Sequence, residues 1–500
     1  MEIGYRRPQY RYTCIQRSRE KHLCQRDRSM NNCSGIVEKR GEFFYLEDLS
    51  MKSERKQKLI DLGADVLADA LLEIAIQSEA ADDLIDLLIA TPMENVLRFK
   101  KRLASLKRSR RFIDWRESSG FARELEMLLQ GLKVGVTEPL LGIELIAAFY
   151  EIDKSVFERC DDSNGHVGDV FRYEAKDLFL EYACRCKNKK KIADILLKLN
   201  RKDDYGIRDT LIDCAGDCLP DVVIRTMVST LQGVADTEKD AYAKRHHLML
   251  IESLARQIKD AKLYEMTRIA SWGKLSTAAF IDIARVYLES GDAETAHSWI
   301  NKIPEGEKFQ AYERDQLLLD IYREQGDNRK LSELLYQKFR SYHSTNTLEE
   351  LLDVIGNDKR DEVIAGEVDH ILESSTLCES DVTFLISIDK IYEAEIYLLK
   401  RADQLNGDLY ENLLFWAETM AVEKRNLVAS LIYRSLLISI LERGYTKAYP
   451  YGVQYLRKLD KLAANINDWK KFNNHMDFKT QISQTHGRKR SFWSKYEAEK

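Results

Sequence analysis

The chain has 500 residues, of which 44% are hydrophobic and 32% are charged, and its net charge is −5 at neutral pH. This length exceeds what one compact core supports, so the chain forms either several domains or one extended repeat array. With only 6 prolines and 23 glycines, the composition favours a mostly helical protein and argues against disorder or a β-sandwich. Because the net charge is mildly negative, nucleic-acid binding would require a local basic patch.

The first fifty residues differ from the rest of the chain. Residues 1–50 carry ten Lys or Arg against seven Asp or Glu, and no helical period is sustained in them. We predict that they form a flexible basic leader, or that Met51 is the natural start. They contain no apolar run typical of a secretory signal, and their cysteines lack the paired spacing of a zinc site. We therefore expect a cytoplasmic protein without a bound cofactor or metal.

From Met51 onward, apolar residues recur at three- and four-residue steps, which predicts amphipathic helices. The first apolar stripe, expected to pack against a neighbour, consists of Leu59, Leu62, Val66, Leu67, Ala70, Leu71 and Ile74. Further helices are predicted over 79–90, 94–107, 120–132 and 138–157. No window shows the alternating pattern of strands or the glycine loop of a nucleotide site, which argues against Rossmann and P-loop enzymes.

The longest apolar segment spans 427–441 and has Arg434 in its middle. It is shorter than the ~20 residues that a helix needs to cross a bilayer, and a central arginine would oppose insertion. The segment therefore predicts a buried helix, and we expect no membrane association.

Two segments in the middle of the chain, "ARVYLESGDAETA" at 284–296 and "LDIYREQGDNRKL" at 319–331, repeat at an interval of 35 residues. This interval is close to the period of about 34 residues in tetratricopeptide repeats. The repeat is degenerate, because leucines in the second copy replace the small residues of the first. The residues that carry the pattern are Tyr287, Gly291, Asp292 and Ala296 in the first copy and Tyr322, Gly326 and Asp327 in the second.

These patterns predict an all-α protein, an α-solenoid of helical hairpins with degenerate tetratricopeptide-like repeats. After the leader we place an N-terminal helical domain over 51–239 and the solenoid over 240–465. A C-terminal helical latch with a basic tail is predicted over 466–500, because "HGRKRSFW" at 486–493 joins three cations to two aromatic rings. We favour an interpretation in which Phe492 and Trp493 anchor the last helix.

Four segments of the chain resemble a family of bacterial proteins known only as a domain of unknown function. They are "LGADVLADALLEIA" at 62–75, "RRFIDWRE" at 110–117, "VFERCDDSNGHVGDVF" at 156–171 and the ending "INDWKKFNNHMDFKTQISQTHGRKRSFW" at 466–493. The ending is also similar to the tail of some SWIM zinc-finger proteins, although the finger's own cysteine and histidine pattern is absent. The resemblance implies a tetratricopeptide-like helical array without an assigned reaction.

Two basic patches are candidate contacts for nucleic acid or for a protein partner, since aligned cations neutralise phosphates and neighbouring rings stack on bases. The alternative is that their cations are merely solvated. The first patch, at 98–111, consists of Arg98, Lys100, Lys101, Arg102, Lys107, Arg108, Arg110 and Arg111, and the second, at 488–490, consists of Arg488, Lys489 and Arg490.

No catalytic arrangement emerges from the sequence. The polar stretch 160–170 resembles an EF-hand loop around Gly165, but Cys160 and Phe171 occupy two ligand positions, so we predict a capped turn instead. His246 and His247 are adjacent on a helix and point in different directions. We therefore expect a non-enzymatic scaffold that binds a protein or peptide, with a nucleic-acid-associated module as the alternative.

Overall fold

The computed structural model describes residues 55–77, 79–201 and 203–498. Over these ranges the protein is all-α, as predicted, and its extended pairing is limited to an isolated bridge between Ile113 and Cys160. The predicted leader, with its cysteines and Met51, lies outside the described residues.

The helices, numbered in chain order, alternate with short turns. Those of the first part are α1 (Ala64–Gln77), α2 (Glu79–Ile89), α3 (Pro92–Arg108), α4 (Ser118–Gly135), α5 (Pro139–Tyr150), α6 (Asp153–Phe157), α7 (His166–Asp169), a π-helical segment (Val170–Ala175), α8 (Lys176–Arg185), α9 (Lys189–Asn200) and α10 (Asp209–Ile212). Those of the second part are α11 (Asp221–Thr237), α12 (Ala241–Gln257), α13 (Ala261–Trp272), α14 (Thr277–Glu289), α15 (Ala293–Ile300), α16 (Ala311–Gln325), α17 (Asn328–Ser341), α18 (Thr345–Ile355), α19 (Arg360–Glu373), α20 (Glu379–Ser387), α21 (Ile391–Lys400), α22 (Tyr410–Val422), α23 (Asn426–Arg443), α24 (Tyr449–Ala463), α25 (His475–His486) and α26 (Arg490–Ala498). Single 3-10 turns lie at Ala215–Asp217, Asn357–Lys359, Ala402–Gln404 and Thr446–Ala448.

Backbone contacts group the chain into two compact units. The first is Met1–Asn188 with Lys198–Arg208, and the second is Lys189–Leu197 with Asp209–Lys500. The sequence placed a domain boundary at 239–240 instead. That position lies in the turn between α11 and α12, which pack against each other within the second unit.

In the second unit, successive helices pack in chain order as hairpins. Helices α11 to α17 each contact the next helix, and contacts that skip one helix join α14 with α16, α20 with α22, and α21 with α23. This nearest-neighbour packing defines an α-solenoid, in which each hairpin buries its apolar face only against its neighbours. The predicted fold class is confirmed.

A recurrent turn joins the helices of this unit. Gly291 and Gly326 adopt left-handed φ angles of 89° and 66°, and the N–H of the following Asp donates back to the carbonyl of Tyr287 or Tyr322 at 2.9 and 3.0 Å. This is the six-to-one bond with which a helix commonly ends at a glycine. The same bond follows left-handed residues at three further turns, namely Lys259, Asp389 and Lys424.

The first apolar stripe behaves differently from the prediction. The predicted single helix is broken at Gly63, whose φ of 86° ends the helical stretch 55–61 before α1 begins. Leu62 and Ile74 stay more than half exposed, and α1 contains no residue classed as buried. The apolar repeat thus correctly predicted helical structure in this segment. Its apolar residues, however, do not pack into a core within the described part of the chain.

The apolar segment 427–441 lies within α23, which is buried over most of its length, as predicted. The guanidinium of Arg434 is enclosed by the rings of Trp469 and Phe478, each 4.6 Å away, and donates to the carbonyl of Asn473 at 2.7 Å. Burial lowers the pKa of Arg434 to about 10. Among the described helices, none has the length and apolar character needed to cross a membrane.

Candidate functional site

The first basic patch lies on α3 and on the loop that follows it. Thr91 and Glu94 form a capping box at the start of this helix, with Glu94 Oε2 accepting from the Thr91 N–H at 2.8 Å. Its apolar face is buried, which leaves the cations on the opposite, solvent-facing side. The buried apolar residues are Val96, Phe99, Leu103 and Leu106.

The eight cations of this patch do not form one row. Four of them meet carboxylates, whereas Lys100, Lys101 and Arg110 are exposed and Arg108 donates to the carbonyl of Ala104. The four ion pairs are Arg98–Asp86 at 3.1 Å, Arg102–Glu124 at 2.5 Å, Lys107–Glu151 at 3.8 Å and Arg111–Glu117 at 2.7 Å. Part of the patch charge is therefore neutralised within the chain.

The C-terminal end of α3 and the N-terminal end of α4 enclose a groove of about 530 Å³, hereafter the arginine groove. Two of the predicted patch residues line it, Arg102 and Arg111, together with two arginines that the sequence analysis did not select, Arg116 and Arg159. Ser105 of α3, Ser109 just after it, and Ser119 and Gly120 of α4 also line the groove, as do Glu117 and Glu124.

An isolated bridge holds the loop of the groove in place. The N–H of Ile113 donates to the carbonyl of Arg159 at 2.8 Å, and the N–H of Asp161 donates to the carbonyl of Ile113 at 2.9 Å. These bonds bring Arg159 next to a loop from which it is distant in sequence. No local pattern shows this pairing, which explains why the sequence did not point to Arg159.

The first turn of α4 opens on the groove. Glu117 occupies the N-cap position, but its side chain makes no capping bond and instead pairs with Arg111. The N–H of Ser118 donates to the carbonyl of Asp114 at 3.1 Å. The N–H groups of Ser119 and Gly120 have no acceptor among the described residues, and both residues line the groove at the positive end of this 18-residue helix.

Arg159 forms the deep end of the groove. Its residue exposure is 8%, and its guanidinium lies 5.1 Å from the ring centre of Phe121. One nitrogen, Nη1, donates to the carbonyl of Arg111 at 3.3 Å, whereas Nε and Nη2 have no hydrogen-bond partner among the described residues. Burial lowers the pKa of this guanidinium, because nearby counter-charge does not compensate for lost hydration.

The second basic patch has a different setting. Arg488 and Arg490 are exposed, but Phe492 is fully buried and meets Tyr449 edge to face at 5.7 Å. Trp493 is partly buried and donates its indole N–H to the carbonyl of His486 at 3.0 Å. Because Phe492 is fully buried, it has no free ring face beside the cations, and base stacking on it would require local unfolding.

The residues of the sequence repeat cap helices or pack within the core. Asp292 and Asp327 accept from the N–H groups of Thr295 and Lys330 at 2.9 and 3.1 Å, which caps α15 and α17. Ala296 is fully buried. The hydroxyl of Tyr287 donates to Glu265 at 2.5 Å, whereas Tyr322 packs partly buried against the core.

A buried charged cluster that the sequence did not indicate lies in the second unit. His343 is 5% exposed, and its Nδ1 and Nε2 lie 2.7 and 3.2 Å from carboxylate oxygens of Asp381 and Glu367. Arg340 also donates to Glu367, and Tyr397 to Asp381. Both ring nitrogens are thus engaged within the cluster, and the ring is enclosed.

The polar stretch 160–170 forms the predicted capped turn. Gly165 has a φ of 77°, and the carboxylate of Asp162 accepts from the N–H groups of Val167 and Gly168 at 2.8 and 2.7 Å. His246 lies 3.1 Å from Asp209, and His247 lies 2.7 Å from the carbonyl of Ala243, so the adjacent histidines diverge. Within the described ranges no cluster of His, Cys, Asp or Glu is arranged to hold a metal ion.

The fold and this groove define a helical-repeat protein with a cationic surface site. The chain belongs to a family of unknown function (DUF6880), which matches residues 49–495. No curated protein matches it. A solved structure described as a circular tandem repeat protein with novel repeat topology and enhanced subunit contact surfaces is similar at 15% identity, over 76% of this chain and 88% of that chain, with a TM-score of 0.14.

Proposed function

We propose that this protein is a non-enzymatic helical-repeat scaffold that binds an acidic segment of a partner protein at the arginine groove. The observation that carries the proposal is the convergence of four guanidinium groups, those of Arg102, Arg111, Arg116 and Arg159, on one concave surface. Planar guanidinium groups bind carboxylates in two-pronged geometry, and concave surfaces are where ligands bury enough area.

Two exposed aromatic rings at the edge of the groove support nucleic acid as a second candidate ligand. Phe112 and Trp115 are exposed rings in the loop between α3 and α4, beside the cations of the first patch, and such rings can stack on bases. One feature favours a protein partner instead. Two cations of the groove already pair with glutamates, Arg102 with Glu124 and Arg111 with Glu117, so they would displace fewer counter-ions from a phosphate backbone.

The two candidates separate in one binding experiment. Fluorescence anisotropy would follow a labelled peptide of alternating Glu and Ser and a single-stranded oligonucleotide of equal charge, across a NaCl series. We expect the peptide to bind, and Arg102→Gln/Arg116→Gln to weaken it by about tenfold or more, since charge-assisted bonds are lost. The matched control, Lys101→Gln/Arg110→Gln, removes the same charge outside the groove and should bind like the wild type.

Two results would contradict the proposal: tighter binding of the oligonucleotide with a steep salt dependence, or equal binding by the groove variant and its control. The predicted cytoplasmic location, bacterial origin and similarity to the SWIM tail also remain proposals.

A further inference from the structure

The deep end of the arginine groove contains a cation, Arg159, that forms no ion pair among the described residues, although Glu124 lies near enough to act on its charge. Arg159 is more than nine-tenths buried, yet two of its three guanidinium nitrogens have no acceptor in the described part of the chain. The carboxylates that line the groove are engaged elsewhere, Glu124 with Arg102 and Glu117 with Arg111. A buried charge in this state is costly unless a partner satisfies it, so the arrangement indicates an anionic ligand.

A second, independent feature points at the same place. Ser119 and Gly120, in the first turn of α4, line the groove, and neither N–H group has an acceptor among the described residues. A methyl group placed on Gly120 would meet no heavy atom within 4 Å, so a ligand can approach this backbone closely. Helix N-termini bind phosphate and sulfate because their amides and their dipole both favour negative charge.

The groove brings together donors from three separate segments. Arg159, the first-turn residues Ser119 and Gly120 of α4, and Arg116, whose guanidinium also lies 3.7 Å from Asp114, all line it. A carboxylate offers two oxygens, whereas a phosphate monoester offers three terminal oxygens and a charge of about −1.5 to −2. A phosphate group therefore suits such a set of donors better than a carboxylate does.

We infer that the deep end of the groove binds a phosphate group, and that this group is a phosphorylated Ser or Thr side chain within the partner's acidic segment. The second part of the inference rests on the proposed function, and the first does not. The rim arginines, Arg102 and Arg111, are already paired with glutamates and contact the flanking acidic residues of the segment by exchanging these pairs.

The test uses the full chain and three variants. Inorganic phosphate is titrated by calorimetry and by thermal shift into the wild type, Arg159→Met, Arg116→Gln and the control Arg110→Gln, which removes an exposed arginine outside the groove. Phosphate should raise the melting temperature of the wild type and of the control. The shift should be absent in Arg159→Met and smaller in Arg116→Gln. Without phosphate, Arg159→Met should melt no lower than the wild type, because an unpaired buried charge is removed.

Peptides then identify the source of the phosphate. An acidic peptide with a central phosphoserine should bind at least tenfold more tightly than versions with Ser or Glu at that position. Equal phosphate binding by Arg159→Met and the wild type, or an adventitious interaction that Arg116→Gln leaves unchanged, overturns the phosphate site. Arg116 is exposed, so its variant decides the matter even where Arg159→Met fails to fold.

The outcomes distinguish the inference from the proposed function. If the unphosphorylated acidic peptide binds in the groove and phosphate adds nothing, the inference is wrong and the scaffold function stands. If phosphate binds at Arg159 but no peptide does, the scaffold function is wrong. Tighter binding of a 5′-phosphorylated oligonucleotide than of the phosphopeptide overturns the assignment to a phosphorylated side chain.

Discussion

His343 is the residue in the second unit whose charge depends most directly on its packing. Burial opposes its positive form, but hydrogen bonds to Asp381 and Glu367 outweigh this effect and raise the pKa of the ring. For Glu367, burial favours the neutral acid, yet bonds from Arg340 and His343 prevail and lower its pKa. Arg159 is the opposite case in the first unit, since its surroundings supply no such compensation. Thus the same property, a buried charge, marks a structural centre in one place and a ligand site in the other.

The stabilising effect of His343 should depend on pH. Because its pKa is raised in the folded state, the contribution is fully present below its ordinary value of about 6.5 and is lost as the pH rises through the higher folded value. We expect His343→Gln to lower the melting temperature most at pH ~6 and progressively less toward pH ~9. His370→Gln, which removes an exposed histidine from the helix that carries Glu367, is the control. A deficit that grows with pH would contradict this assignment.

At the scale of elements, the same helix-ending turn is built from different residues. The sequence showed it at Gly291 and Gly326, where glycine adopts a left-handed conformation without steric cost. At Lys259, Asp389 and Lys424 the turn has the same backbone bond, although these side chains disfavour a positive φ. These three turns lack the glycine, which is why the repeat was visible in two copies only.

Replacing Lys424 by glycine should therefore stabilise the protein. The φ of 57° at this position is strained for lysine, and relief of this strain should raise the free energy of unfolding by about 1 kcal/mol. Thermal or urea unfolding of Lys424→Gly measures the gain. Lys424→Ala retains the Cβ and should show none, so an equal gain in both variants would mean that loss of the lysine side chain is responsible.

The anchoring of the last helix, α26, depends more on the ring of Phe492 than on the neighbouring cations. Phe492 is fully buried and Trp493 only partly, so Phe492→Ala should cost about 3–5 kcal/mol and Trp493→Ala less. Arg488→Ala, at an exposed position, should have little effect on stability. Thermal unfolding followed by circular dichroism compares the three variants. If Phe492→Ala melts like the wild type and only loses ligand binding, the anchoring role of this ring is wrong.

At the scale of the molecule, contacts between helices close in sequence hold the second unit together. The first unit also depends on contacts between segments that are distant in sequence. The bridge from Ile113 to Cys160 and the pair Arg208–Asp153, with Arg208 Nη2 2.6 Å from Asp153 Oδ1, join distant parts of the first unit. Stability in a solenoid is approximately a sum of local and nearest-neighbour terms. A destabilising substitution in the second unit should therefore affect mainly the helices next to it.

Hydrogen exchange would reveal this locality. Ile283→Ala empties a fully buried position in α14 and should cost about 2–5 kcal/mol. We expect faster amide exchange in α13 to α16 and unchanged protection in α24 to α26. Tyr312→Ala, at an exposed position of α16, serves as the control. Equal loss of protection over the whole second unit would show that it unfolds as one cooperative body.

Apolar period, capping residues and glycine position were enough to predict an all-α protein of hairpins, the turns at Gly291 and Gly326, and the buried helix around Arg434. These features depend on residues a few positions apart, which a linear pattern records. The exposed stripe of α1, the domain boundary and the arginine groove were not predictable in this way. They depend on which distant segments meet, and Arg159 became a candidate ligand residue only because the fold buries it beside the first patch and leaves its charge without a partner.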